Sequence, residues 1–323
     1  MLSAYLFDTR QGKRVEAWPD ALHDLGESQV LWLDLQEPSE KEENDVRQAL
    51  DLSDEDTIAE AGENPSLAQR DAYLKVNAIG VTDADDRSSP EAVAISCFIG
   101  RNWILTAHRS ELAVVEGFRE RAEGGGELGI LDTPSFLAVL LGWVVTSYLQ
   151  AFDRVEVDLE EFDVRVLRNA RRDAEEQIGT LVEIRQRVGR LRRSLAQHRD
   201  VFAALTESEF DPLSTEESAA RFGELAAKTE SALVAARDAK DAITGSFDVL
   251  IARTEHRTNE IIKVLTVASI LLLPGALIAG VMGMNVNFKA SVFVHSPVFW
   301  VAVAVIVLIA AATLGVARRR RWI

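Results

Sequence analysis

The sequence predicts an α/β cytoplasmic domain, long stalk helices after it, and two C-terminal transmembrane helices. Three observations predict this. Residues 264–288 and 290–317 carry no charged side chain, and each tract exceeds the roughly 20 apolar residues that cross about 30 Å of hydrocarbon. No proline lies between Pro134 and Pro212, or between Pro212 and Pro274, in stretches rich in the helix formers Ala, Leu, Glu and Arg. Before residue 132, short apolar runs alternate with turn and cap signals instead.

Taken in order, Val30–Leu35 reads as a buried strand. Ser39, with Glu42 three residues on, has the form of a capping box, so a helix reaching Leu50 is expected after it. Ala92–Ile99 and Trp103–Ala107 read as a strand pair turned by Gly100-Arg101-Asn102. Asp83–Pro90 and Gly124–Gly129 read as loops. Residues 134–205 are expected to form one or two long helices. Residues 216–282 read as a single helix, about 100 Å long at 1.5 Å per residue, that continues into the first apolar tract. Pro274 is compatible with this, because membrane helices tolerate proline. A helix of that length needs packing partners, which points to an oligomer.

Charge is distributed unevenly. The net charge is −16, and residues 1–86 hold 21 acidic side chains against 7 basic ones, whereas residues 257–323 hold Glu260 against seven basic ones. A net-acidic chain argues against nucleic acid as a partner. Arg253, Arg257 and Lys263 precede the first tract and Arg318–Arg321 follow the second, with only Lys289 between them. The positive-inside rule therefore places both termini in the cytoplasm and a short loop outside. The first residues, MLSAYLFDTRQGKR, contain no apolar signal-peptide core. Trp300 and Trp322 lie near span ends, where indoles favour the interface. The single cysteine, Cys97, excludes an intrachain disulfide and a Cys-rich zinc site, and its place in a predicted strand reads as core. Five scattered histidines show no ligand spacing. With no Walker loop, dinucleotide fingerprint, nucleophile elbow or catalytic constellation, an enzyme is the least expected class.

One stripe of the first span stands out. Asn259, Ile262, Thr266, Ser269, Leu273, Ala276, Gly280 and Gly283 follow one another at spacings of three and four, so they share a helix face. Within the span the stripe is small or polar apart from Leu273. Periodicity leaves two readings open, close helix–helix packing and a pore wall repeated about a symmetry axis. Extended backwards, the stripe reaches Glu255, Ala252 and Asp248, acids that could hold cations at a cytoplasmic pore mouth or simply be solvated.

Gly283-Met284-Asn285 closes the first span, just before a short loop and a second span. In that setting the tripeptide resembles the signature of the CorA superfamily of divalent-cation transporters. Thr258–Thr266, Pro274 and Ile278-Ala279-Gly280 are similar to the family's pore helix. Leu31–Asp34, Asn102–Thr106 and the acidic helix around Asp158–Glu161 add diffuse similarity, so the resemblance spans essentially the whole chain.

The resemblance implies a pentameric funnel in a prokaryotic inner membrane, a homopentamer with first spans around the pore and second spans outside them. It divides the chain into a cytoplasmic domain at 1–131, a stalk at 132–260, the pore helix at 261–285, an external loop at 286–297, the second span at 298–317 and a basic tail at 318–323. Gly283, Met284 and Asn285 would form the selectivity filter, with Asn285 binding the hydrated ion. A small ion such as Mg²⁺ sheds water reluctantly, so amide and carbonyl oxygens would bind its water shell. Thr266 and Ser269 would contact that water, while Ile262, Leu265 and Leu273 would form apolar constrictions that close by dewetting. Asn259 would be an inner polar ring. In the magnesium branch, intracellular Mg²⁺ bound between subunits favours closure. Glu224 would be one such carboxylate, with a partner among the acids of Asp54–Glu63; solvated surface charge is the competing reading.

The sequence departs from the magnesium pattern in places. Met282 precedes the tripeptide where an aromatic is common, Val286 follows where Phe is common, Ala276 replaces a pore hydroxyl, and the outer loop lacks an acid. A following valine resembles the ZntB branch, which implies zinc transport coupled to protons, whereas Asn259–Thr266 looks more like CorA itself. Mg²⁺ is favoured, with Co²⁺ or Ni²⁺ tolerated, and Zn²⁺ is the alternative; each would be cargo and regulator, with no resident cofactor. His295 in the loop is read as solvated. A two-span sensor or scaffold without flux would share the topology.

Overall fold

The structure, a computed structural model, describes residues 1–8, 11–14, 25–26, 29–58, 64–82, 92–110, 112–123, 132–168, 174–207, 216–283 and 297–319. Two units emerge, Met1–Arg165 with Arg171–Phe247, and Val166–Ala170 with Asp248–Ile323.

The first unit contains a seven-stranded sheet in the order β2-β1-β3-β7-β6-β5-β4. The strands are β1 (Leu2–Asp8), β2 (Gln11–Arg14), β3 (Gln29–Gln36), β4 (Ser66–Gln69), β5 (Leu74–Val81), β6 (Ala92–Ile99) and β7 (Trp103–His108). Central β3 and β7 run parallel, and the other neighbours are antiparallel. The expected β3 strand and the β6–β7 pair are present. The Gly100 N–H donates to the Trp103 carbonyl at 2.9 Å across their turn. A Cβ at position 100 would lie 2.2 Å from the Trp103 ring, so only glycine fits beneath that indole. The 83–90 and 124–129 loops lie outside the described residues. Sequence reading placed none of β1, β2, β4 or β5.

Period-two alternation gives β3 two buried faces. Leu31, Leu33 and Leu35 join Val46, Leu50, Ile58, Tyr73, Phe98 and Leu105 in one core. Trp32, on the opposite face, stacks on Tyr5 and meets Phe118 and Phe136 edge-on or tilted. Val46 lies on α1 (Glu40–Ala49), which begins as expected. Ser39 Oγ accepts from the Glu42 N–H, and the Glu42 carboxylate accepts from the Ser39 N–H at 2.9 Å. It ends where Asp51 turns left-handed at φ 52°. Phe118 lies on α2 (Ala113–Glu123), a helix that sequence reading did not place, and Phe136 on α3 (Thr133–Arg168). Cys97 is buried in β6, and burial pushes its thiol up to about 12, so it is inert core.

The 134–205 region resolves into two helices, α3 and α4 (Ala174–Thr206). They cap an incomplete sheet edge. β4 covers β5 only over Leu74–Asn77. Beyond that, the Ile79 N–H donates to His198 Nε2 of α4 at 3.0 Å. The Ile79 carbonyl accepts from the Tyr148 hydroxyl of α3 at 2.9 Å, and the Val81 N–H donates to Ser147 Oγ at 3.0 Å. Side chains thus serve backbone groups that would otherwise be buried without partners.

A single unbroken helix, α5 (Glu216–Gly283), contains Pro274, as expected. The last described helix is α6 (Pro297–Arg319). Both α3 and α5 are long and apolar enough to cross a membrane, and burial separates them. In α3 the most apolar 18-residue window is 72% buried, as in the core of a soluble domain, whereas in α5 it is 6% buried.

Burial pushes His198 down to about 4 from 6.5. Between those values the unfolded chain binds a proton that the folded chain refuses, so stability falls as pH drops through that window. At about 1.4 kcal/mol per unit the loss approaches about 3 kcal/mol. His198→Gln keeps an acceptor for Ile79 but does not titrate. The detergent-solubilised variant should lose less melting temperature between pH 6.5 and 4.5 than the parent; equal losses would show that another group carries the acid sensitivity.

Candidate functional site

Within the second unit, the membrane part of α5 has two distinct faces. Val267 is buried, and Ala268, Leu271, Pro274, Gly275 and Ile278 are half-buried. A Cβ added to Gly275 would lie 3.8 Å from Ile306 of α6, so this face meets the second apolar helix. The corresponding half-buried residues of α6 include Val303, Ile306, Ala310 and Thr313, again at helical spacing.

At about 100° per residue, the sequence-predicted stripe is centred roughly 180° from this packed face. Asn259, Ser269, Ala276 and Gly280 are exposed, and Thr266 is half-buried. Ile262, Leu265 and Leu273 are 53%, 64% and 65% exposed. Large aliphatic side chains so exposed, on an apolar helix, require lipid or other chains around them. Among the described residues, no atom beyond the helix's own nearby backbone lies within 4 Å of a Cβ built on Gly280. Gly283 is the last residue of α5, while Met284, Asn285, Lys289 and His295 lie outside the described residues.

The chemistry of the stripe is that of a hydrogen-bond acceptor. The Thr266 hydroxyl donates to the Ile262 carbonyl at 2.7 Å, which commits its proton and leaves oxygen lone pairs for an outside donor. The water shell of a cation offers such donors. Sequence reasoning found this face through its spacing. It did not find the packed face, because small and bulky residues alternate along it, and the Gly275–Ile306 contact is its clearest sign.

Farther back on α5, Glu224 and Asp248 are both exposed. Among the described residues, no three His, Cys, Asp or Glu side chains gather into a metal-holding group. In the 54–63 stretch, Asp54 and Glu55 are exposed, and residues 59–63 lie outside the description. Asp56 is buried and already occupied. Its carboxylate accepts from Arg70 at 3.1 and 3.2 Å and from the Tyr73 hydroxyl at 2.6 Å, with Lys75 Nζ 3.7 Å away. Burial alone would raise this carboxyl, but Arg70, Tyr73 and Lys75 outweigh it and hold it below the usual range.

The profile of a family described as CorA-like Mg2+ transporter protein matches residues 27–319. The chain is 22% identical over 300 residues to the cobalt/magnesium transport protein CorA of Methanocaldococcus jannaschii, covering 91% of this chain and 92% of that one. Its fold is similar to the complete structure of the CorA magnesium transporter from the same organism, with a TM-score of 0.78 at 19% identity over 99% of both chains. It is also similar to the full-length CmaX protein, with a TM-score of 0.70 at 21% identity over 99% of this chain and 97% of that one.

Removing the Asp56 carboxylate would leave Lys75 and Tyr73 buried without their partner. Asp56→Ala should therefore cost about 3 kcal/mol of stability in buffer containing a chelator. Unchanged melting under those conditions would return Asp56 to the candidate metal ligands.

Proposed function

The chain belongs to the CorA-like Mg2+ transporter family, and from that premise we propose that it carries divalent metal cations across a membrane. The observation that supports this most directly is the α5 stripe, which faces away from α6, is small or polar in its span apart from Leu273, and leads in sequence to Gly283-Met284-Asn285. In this reading five copies surround a pore, their stripes form its wall, and the first unit lies in the cytoplasm of a prokaryotic cell. Arg253, Arg257, Lys263 and Arg318–Arg321 flank the two spans on that side, as the positive-inside rule requires.

A ring of Asn285 oxygens selects the hydrated ion by size and hydrogen-bond pattern, avoiding the cost of stripping its first shell. Thr266 and Ser269 accept hydrogen bonds from its water farther along, and Asn259 forms an inner polar ring. Rings of Ile262, Leu265 and Leu273 exclude ions when dry. Exposed Glu224 is a carboxylate available for regulatory Mg²⁺, and exposed Asp248, on the backward continuation of the stripe, holds cations at the cytoplasmic pore mouth. Mg²⁺ is the favoured cargo, with Co²⁺ or Ni²⁺ tolerated. Val286 after the tripeptide favours a second reading, ZntB-like Zn²⁺ transport coupled to protons.

Purified protein in proteoliposomes should take up Mg²⁺ faster than Zn²⁺, without needing a pH gradient. Zn²⁺ uptake that collapses with the gradient would establish the second reading, and the absence of any divalent flux would remove both. Asn285→Ala should abolish or severely reduce uptake while the oligomer persists; a wild-type rate would show that the filter lies elsewhere.

Ile262→Asp should raise resting flux, because a charged ring stays wet. Unchanged flux at normal expression would place the gate elsewhere.

A further inference from the structure

Around the start of the first span, charge is segregated by helix face. Arg253, His256, Arg257 and Glu260 lie on the backward continuation of the face that α6 covers, within about 60° of its centre, with Lys263 at its margin. Asp248 and Glu255 lie on the stripe side instead. Arg253, His256, Arg257, Glu260 and Ile261 line a cavity of about 360 Å³. Its one carboxylate, Glu260, is 3.6 Å from His256 Nδ1. Two guanidiniums thus border a cavity with a single acid, in a chain whose net charge is −16.

The position is specific as well. Arg257 precedes Val264, the first residue of the uncharged tract, by two helical turns, about 10 Å. A long side chain there reaches the headgroup layer while its stem lies along apolar surface such as Ile261. With the spans antiparallel, as a short connection favours, the Gly275–Ile306 contact brings Arg318 level with Lys263. This places more positive charge at the same depth.

We infer that the cavity bordered by Arg253, His256 and Arg257 binds the phosphate headgroup of an anionic phospholipid. Guanidinium forks suit phosphate oxygens, and the lipid's chains would lie beside α6, which covers that face of α5 within the span. The inference rests on the reading that α5 crosses the bilayer from about Val264.

The test uses the full chain in vesicles of phosphatidylglycerol and phosphatidylcholine, with retained lipid measured by mass spectrometry after detergent extraction. The parent should retain phosphatidylglycerol selectively. Each basic residue near a membrane surface contributes about fivefold, so Arg253→Gln with Arg257→Gln should cut that selectivity about 25-fold. Arg192→Gln with Arg193→Gln, an equal charge change on exposed α4 positions, should leave it intact. Equal loss in both pairs, or a parent with no preference, overturns the inference. Loss of bound lipid in millimolar inorganic phosphate would identify a soluble phosphate site and overturn the lipid assignment. Alkaline extraction separates this from the transport reading: a chain that stays in the membrane without lipid preference defeats this inference alone, whereas one that washes off defeats both.

Discussion

The free edge of β5 is the constraint around which the first unit is organised. A sheet edge with unserved N–H and C=O groups is costly when buried and sticky when exposed. Here the cover of β4 ends at Asn77 of β5, and His198, Tyr148 and Ser147 take over the edge. These contacts require α3 and α4 to lie side by side at one depth over the sheet. Ser194 strengthens the arrangement, since its hydroxyl meets Tyr148 at 2.7 Å and its carbonyl lies 2.9 Å from His198 Nδ1. The imidazole must therefore carry its proton on Nδ1 and keep Nε2 as the acceptor for Ile79.

The same unit buries two carboxylates of an acidic chain, Asp34 and Asp56, by surrounding each with several partners. Asp34, 1% exposed, accepts from Thr106 at 2.6 Å and from Arg119 at 3.2 Å, with His108 Nε2 at 3.3 Å. Burial would lower His108, but Asp34 outweighs it and the imidazole is raised. Trp32 Nε1 donates to Thr106, which ties the aromatic core to this polar cluster. Arg119 lies on α2, so the charge pairing also fastens that helix to the sheet. Asp56 is handled in the same way by Arg70, Tyr73 and Lys75. Both sites follow the rule that a buried charge survives only when paired and hydrogen-bonded.

α5 meets a different requirement. Only 6% of its most apolar window is buried among the described residues, so each face takes its role from what it meets. One face carries Gly275 against Ile306, where a small residue lets α6 approach. The opposite face meets no partner among the described residues and, apart from Leu273, is small or polar within the span. Charge continues the division, with Arg253 and Arg257 behind the packed face and Asp248 and Glu255 behind the stripe. A single helix thereby carries a face packed on α6 and an opposite face of different composition and charge.

Features set by neighbours in sequence were legible without a structure. The capping box depends on residues three apart, the β6–β7 hairpin on a three-residue turn, the spans on uninterrupted lack of charge, and the stripe on helical period. Family resemblance was legible because Gly283-Met284-Asn285 falls at the end of such a span. Only tertiary structure decided the rest. The parallel pairing of β3 with β7 and the service of Ile79 by His198 join segments dozens of residues apart, and no local periodicity encodes which distant groups meet. The same holds for Asp56, an acid like its neighbours in sequence until Arg70, Tyr73 and Lys75 close around it. It also holds for α3, apolar enough to span a membrane but buried as core, because composition determines that a surface must be covered and only packing determines by what.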